Sequence, residues 1–481
     1  MTLNLFPFIL MPLIGAALCP FVGKLGHKYA ERLSVFILLF GLLLAVLNIP
    51  VCAEYQTRVN GMLGPAWLAG DVFSLFSVVM IYMAALSVTV FSAFYKREDD
   101  RGALYYALLL ASVAGMSGVA LANDFFTLYV FVEVLAVCSF SLIAFQMKAE
   151  SLEGAIKYLV ISAPASLFII SGVSLLMLST GSTSFASVLS ASGGGDNPAV
   201  IIIMGVILCG FLLKSGLVPF HTWTPDAYQS APAPVSALLS GIITKMAGVY
   251  AIIRIMMLLR VAHPQTTAAI GSALMLFGAA SIIVGALAAM YQKDFKRMLA
   301  YSSISQVGYI VLAAGAATPL ALAAAIFHFF NHATFKLTLF FNAGAVEKAT
   351  GTTNITKLGG LENRMPWTSW TSVIAMLSTA GIPPFSGFWS KFLIITALWQ
   401  AGFHGYAGLA LAASVLTLGY FLILQSRVFF GNLPEELSGV KEVRAGLLLP
   451  GLCFAALMVA VGLYFPLIFS NFVEPAVVLF L

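Results

Sequence analysis

Apolar runs of about twenty residues recur along the whole chain, and the short loops between them hold most of the charge. A run of that length suffices for a helix to cross the hydrocarbon core of a bilayer. The pattern predicts an all-α polytopic membrane protein with about fourteen transmembrane helices, at about 2–22, 33–53, 72–95, 104–121, 124–146, 155–178, 198–229, 235–259, 267–290, 298–316, 319–346, 367–400, 405–430 and 445–470. Asn123 and Asp124 stand where the fifth helix should start, and Thr318-Pro319 opens the eleventh with proline in its first turn. Two runs, 198–229 and 367–400, are too long to cross unbroken, and both hold Gly and Pro near the middle. Proline inside an apolar span frees backbone groups, so each break should be covered by protein or line a hydrated cavity.

Loop charge sets the orientation. Loops after odd-numbered helices carry Lys24, Lys28, Arg32, Lys96, Arg97, Arg101, Lys148, Lys293, Lys296, Arg297, Lys348, Lys357, Arg364, Lys441 and Arg444, whereas those after even-numbered helices carry Arg58 and Arg260. By the positive-inside rule the odd loops face the cytoplasm or its equivalent, and both termini face out. The two breaks resemble each other: Gly216-Leu-Val-Pro219-Phe220 reads again as Gly381-Ile-Pro383-Pro384-Phe385, 165 residues later. Five helices, an odd step, separate them. The single membrane domain, 1–481, is therefore expected to contain two inverted five-helix repeats, about 104–259 and 267–430, each with a broken helix. Helices at 2–95 and 445–470 flank them. Paired broken helices in inverted repeats point to a transport site. Met1 leads into an apolar run with no basic stretch before it, which reads as the first spanning helix rather than a signal peptide.

Composition narrows the class. Sixty per cent of the residues are hydrophobic and 9% charged, against about 25% charged in soluble domains. The net charge of +5 sits in short loops or singly inside apolar spans, so the partner it implies is the lipid bilayer and not nucleic acid. None of the five cysteines forms a CxxC pair, and the Gly193-Gly-Gly-Asp196 stretch lacks the flanking strand, helix and lysine of a phosphate cradle. No cofactor or metal is expected in this chain.

Candidate chemistry lies in the few ionisable residues inside the spans. Each costs roughly 2.5–3.5 kcal/mol at mid-bilayer, so it should face an interior path. Glu133 is the one acid well inside a span, in TLYVFVEVLAVCSF. It is either a protonated structural carboxyl or, as favoured here, the partner of Lys214, whose proton affinity such a pair would control. Lys245, Lys336 and Lys391 are the other interior bases. Lys157 and His221 are accessory candidates, and Arg254 and Arg427, nearer helix ends, read as cations snorkelling to the interface. His328, His332 and Lys336 recur every four residues, hence on one helix face. Zinc would need a third ligand that the motif lacks. Histidines bonded to carbonyls are one alternative, and a proton-passing row is the reading preferred.

The segments NDFFTLYVFVEVLAVCSFSLIAF, KSGLVPFHTWTPDA, APAPVSALLSGIITKMAGVY, FHFFNHATFKLTLFFNAGAV and GIPPFSGFWSKF together resemble the antiporter-like subunits shared by respiratory complex I, Mrp-type cation/proton antiporters and membrane-bound energy-converting hydrogenases. The resemblance implies fourteen helices in two inverted units. Residue by residue, it implies a fifth-helix glutamate at Glu133 paired with Lys214, and an eighth-helix lysine at Lys245 linking two half-channels. It also implies connecting residues at His328, His332 and Lys336, and a twelfth-helix base at Lys391 beside the outlet. The phrasing of NDFFTLYVFVEV and PPFSGFWSKF is closer to the Mrp and hydrogenase branch, and the chain ends without the long lateral helix of the largest complex I relative.

The implied function is proton translocation in a multisubunit energy-converting complex, with no redox centre in this chain. Implied partners are other antiporter-like and small hydrophobic membrane subunits and a peripheral electron-transfer module. The implied setting is a prokaryotic cytoplasmic or organellar inner membrane. Rival readings are a Na⁺/H⁺ antiporter subunit without redox coupling and a non-conducting scaffold. A catalytic quinone enzyme finds no flavin, nicotinamide or metal motif in support.

Overall fold

Capping chemistry fixes several helix starts in the computed structural model, which describes residues 4–59, 67–95, 101–186 and 198–478. Lys96, Arg97 and the 193–196 stretch lie outside them, as does the side chain of Arg58. Asp124 accepts the Thr127 amide and Thr318 accepts that of Ala321, as expected of those loop ends. The helices are α1 Pro7–Gly23, α2 His27–Val59, α3 Val72–Tyr95, α4 Gly102–Leu121, α5 Phe125–Ile143, α6 Ala149–Thr180, α7 Pro198–Ser215, α8 Trp223–Ser230, α9 Ala233–Leu238 and α10 Tyr250–Ala262. They continue with α11 Pro264–Met290, α12 Phe295–Ala316, α13 Pro319–Thr350, α14 Pro366–Ala380, α15 Ser386–Gln400, α16 His404–Val428 and α17 Ala445–Leu463, then short C-terminal turns. Among the described residues, twelve helical stretches are long and apolar enough to cross a membrane. The expected span at 2–22 is the seventeen-residue α1, and that at 367–400 is α14 and α15, fifteen residues each.

Both long runs break where glycine and proline stand. Gly216 and Gly381 adopt left-handed backbone, with φ of 66° and 85°. A cis peptide bond precedes Pro219 and Pro384. The eighth predicted span differs from expectation: it is not a plain helix over 235–259. Two π-helical turns, Leu239–Ile243 and Lys245–Val249, connect α9 to α10. A π turn loosens the ladder and frees carbonyls for other donors, and here Lys245 takes one of them.

α13 lies at the centre, buried from Ala321 to Val346, against α3, α9, α12, α14, α15 and α17. α11 and α12 approach closely through glycines: a Cβ on Gly308 would stand 2.6 Å from the Gly278 carbonyl. Exposed apolar side chains such as Phe36 and Leu47 on α2, Val160 and Leu167 on α6, and Leu411 and Val415 on α16 form a bilayer-facing surface. Lys148, which precedes α6, and Lys296 and Arg297, in the first turn of α12, meet at one end of the bundle around a polar cleft of about 550 Å³. This is called the basic end below.

Candidate functional site

α5, α6 and α7 bring the first two candidates together. Lys214 Nζ donates to Glu133 Oε1 at 3.0 Å and to Ser162 Oγ at 3.0 Å. Ser166 Oγ donates to the same glutamate oxygen at 2.5 Å. The lysine is buried, whereas the glutamate side chain is 33% exposed on the outer face of α5. The pair is thus anchored on its basic side and open on its acidic side, so a neighbour or a proton arriving at Glu133 acts directly on Lys214. Neither serine was singled out in the sequence. Their four-residue spacing on α6 was the available signal.

Lys245 opens the second π turn and is buried, and its ammonium donates to the Ser240 carbonyl. Its turn rests on α7: Gly248 lets the backbone come so close that a Cβ there would meet Ser215 Oγ at 2.1 Å. From this lysine, hydroxyls lead to the central helix. Ser240 Oγ lies 2.8 Å from Ser303 Oγ on α12, and His332 lies against the Ser303 backbone without a well-formed hydrogen bond at either ring nitrogen. His332 is within electrostatic range of Lys245, Lys336 and His328 at once.

α13 carries the next three groups on one face, as the spacing predicted. Lys336 donates to the Leu299 carbonyl at 3.2 Å and to Ser302 Oγ. His328 Nδ1 lies 2.9 Å from Ser390 Oγ, one residue before Lys391. Lys391 is buried with no hydrogen-bond partner among the described residues, and its ammonium sits 4.5 Å from the centroid of the Tyr309 ring. That contact is a cation–π interaction. Among the described residues, no cluster of three His, Cys, Asp or Glu could hold a metal around the two histidines.

The remaining candidates lie elsewhere. Lys157, 44% exposed, pairs with Glu153 and Asp226 at 2.6 Å each in the basic-end cleft. Arg297 joins the same Asp226 at 2.5 Å, and Lys296 faces Glu347 at 3.5 Å. His221 follows the first break, its ring 6.5 Å from that of Tyr301, outside the lysine row. Arg427 is exposed near the end of α16, in keeping with a snorkelling cation.

Arg254 corrects the expectation made for it. It does not snorkel but is fully buried, forked onto both carboxylate oxygens of Asp71. Asp71 immediately precedes the first residue of α3. Its carboxylate also caps that helix through the Ser74 amide at 2.7 Å, and a buried acid makes a buried site tolerable for the arginine.

Residues 122–417 match the family model described as NADH:quinone oxidoreductase/Mrp antiporter, TM. The chain is 34% identical to a Na⁺/H⁺ antiporter subunit of Alkalihalophilus pseudofirmus, over 96% of this chain and 93% of that protein. It is 33% identical to an NADH-quinone oxidoreductase subunit of Desulforudis audaxviator, over 83% and 82%. Its fold matches one component of the Mrp complex from Dietzia sp. DQ12-45-1b with a TM-score of 0.88 at 25% identity, covering 99% of this chain and 97% of that one. With a buried base row on a broken-helix scaffold and these likenesses in sequence and fold, the chain belongs to the NADH:quinone oxidoreductase/Mrp antiporter family of antiporter-like membrane subunits.

Proposed function

We propose that this chain moves protons along its buried row of bases as one subunit of a larger membrane complex. The observation that carries the reading is continuity. His332 lies within electrostatic range of Lys245, Lys336 and His328, and Lys391 within range of both His328 and Lys336, while Ser240, Ser303 and Ser390 stand among them. A proton taken up near Lys245 passes by way of the α13 row and leaves beside Lys391. Glu133 and Lys214 form the control point. While the ion pair is closed, the carboxylate holds the lysine proton. Once it opens, the lysine releases that proton toward Lys245, whose turn is seated on α7.

The same reading places the basic end on the cytoplasmic side, with both termini outside, on the strength of the loop lysines. It treats 104–259 and 267–430 as inverted units, supported by the matching left-handed glycines at the two breaks. It assigns no cofactor to this chain. The driving force would come from neighbouring membrane subunits and, in a redox-type complex, from a peripheral electron-transfer module. Exchange of Na⁺, named for the A. pseudofirmus relative, is the second reading. The row itself consists of lysines and histidines, and the control point adds one carboxylate, Glu133, so further oxygen ligands for Na⁺ would have to come from backbone or from another subunit.

Lys214→Ala and Lys245→Ala test the assignment in the intact complex. Proton movement into membrane vesicles, followed with a pH-sensitive dye, should fall well below the wild-type rate while native gels show the complex assembled. Wild-type transport by either assembled variant sinks it.

A further inference from the structure

The second half of the molecule contains buried polar groups that the row of bases does not use, and they gather on the facing sides of α12 and α16. Tyr420, Gln306 and Thr417 are fully buried there, next to Ser302, which accepts from Lys336, and Gln425 is almost so. The Tyr420 hydroxyl faces Ser302, Thr417 and Gln306 without a well-aligned hydrogen bond to any of them. Gln306 Nε2 reaches Thr417 Oγ1 at 3.4 Å, a long contact, and its Oε1 has no partner among the described residues. Both amide atoms of Gln425 are likewise unpartnered. A dry interface between two helices does not hold that many unmatched donors and acceptors, because each one costs about 1–3 kcal/mol. Polar walls around such a gap recruit water.

The placement gives this seam a direction. Gln425 lies one turn from the end of α16, where the 360–362 segment hydrogen-bonds Phe429 and Phe430 at the basic end. One turn further in, on the same face, Phe421 holds its ring 5.9 Å from Lys336 Nζ. Ser302, beside Tyr420, accepts from that lysine. Beyond Thr417, Tyr309 Oη donates to the Ala410 carbonyl at 2.8 Å and lies 3.2 Å from Ser414 Oγ, with Lys391 over its ring.

We propose that α12 and α16 enclose a second proton route, from the basic end at Gln425 past Tyr420 and Ser302 to Lys336, with a spur through Gln306 and Thr417 to Tyr309 at Lys391. Protons are relayed by hydroxyl and amide groups through intervening water, so no bond other than O–H and N–H is made or broken. This rests on the translocation reading above and adds to it a way to load or drain Lys336 without passing Lys245.

The test uses Gln425→Cys and Thr417→Cys in the full complex, in vesicles exposing one face or the other to Ag⁺. Ag⁺ is a monovalent ion small enough for a hydrated seam. After denaturation, loss of N-ethylmaleimide labelling at the new cysteine is read by peptide mass. Both should be protected from the basic face and neither from the opposite face over the same time. Thr417→Cys is nearly isosteric and carries the test alone if Gln425→Cys does not assemble. An assembled variant unprotected from the basic face, or protected only from the other, overturns the route. Tyr420→Phe keeps the ring and removes the relay hydroxyl, so transport should slow while Ag⁺ access persists; unchanged transport also overturns it. Wild-type transport by Lys245→Ala would instead defeat the underlying row, and the labelling result does not depend on that outcome.

Discussion

Arg254 and Asp71 meet between α10 and α3. Ser74 Oγ and the Tyr250 hydroxyl take further guanidinium donors at 3.0 and 2.7 Å. Tyr250 in turn donates to the Ala120 carbonyl at 2.7 Å, tying α4 into the same knot. Removing one partner leaves the other charge buried and alone, at a cost of about 3–5 kcal/mol, whereas replacing both with apolar residues of similar size is often neutral. Asp71→Asn and Arg254→Leu should each sharply lower the amount of folded complex recovered from membranes, and Asp71→Leu with Arg254→Met should restore most of it. A double variant no better than the singles would count against a paired structural role. What a single residue discloses in the sequence depends on how odd it is there. Glu133 and Lys214 stand out because apolar residues surround them, and they do meet. Asp71 did not, since an aspartate before a helix is ordinary capping chemistry, and its partner 183 residues away is fixed only by the fold. The serines that hold the ammonium groups were equally silent, because serine is common in such helices.

Helix breaks were legible for the opposite reason: glycine and proline act locally, and no tertiary context is needed to see them. The π turns around Lys245 were not, since the small and apolar residues of LSGII and KMAGV also fill ordinary membrane helices. Gly248 is where the second of these turns meets α7. A methyl group there would press on the Phe211 carbonyl at 2.7 Å and the Ser215 amide at 2.9 Å, both flanking Lys214. Gly248→Ala should therefore destabilise the subunit by about 1–3 kcal/mol, as overpacking does. Because the strain falls on the turn bearing Lys214, it should also lower transport with every lysine in place. Gly405→Ala is the control: nothing lies within 4 Å of its Cβ, and inside a helix alanine gains up to about 1 kcal/mol over glycine. Thermal unfolding of the detergent-solubilised complex, compared with dye-followed transport, separates the two. Equal behaviour of the two variants would remove the α7 contact from the account.

At the scale of the whole molecule, two features face outward with chemistry to offer a partner. The Glu133 carboxylate, a third exposed, opens away from the lysine it pairs with, and the basic-end cleft gathers Lys148, Lys157, Lys296 and Arg297 against Glu150, Glu153, Asp226 and Glu347. A control group on the protein's own surface is useful only if something outside changes its environment, which is the physical reason to expect a neighbour in the bilayer. Membership of the family was readable from the sequence, but its branch was not: relatives named for Na⁺/H⁺ antiport and for NADH-quinone oxidoreduction stand at 34% and 33% identity. Mild detergent extraction followed by mass spectrometry of the co-migrating proteins should recover further multi-span membrane chains. Iron–sulfur proteins among them would make this chain the ion-moving limb of a redox complex, with Glu133 or its neighbour receiving the signal. Only small hydrophobic companions and other antiporter-like chains would make it part of a cation/proton exchanger, and the missing oxygen ligands for Na⁺ would then be sought on those companions. A lone, monodisperse chain that still moves protons would overturn the multisubunit reading, because the exposed face of Glu133 would then meet only lipid and the ion pair would have nothing to open it.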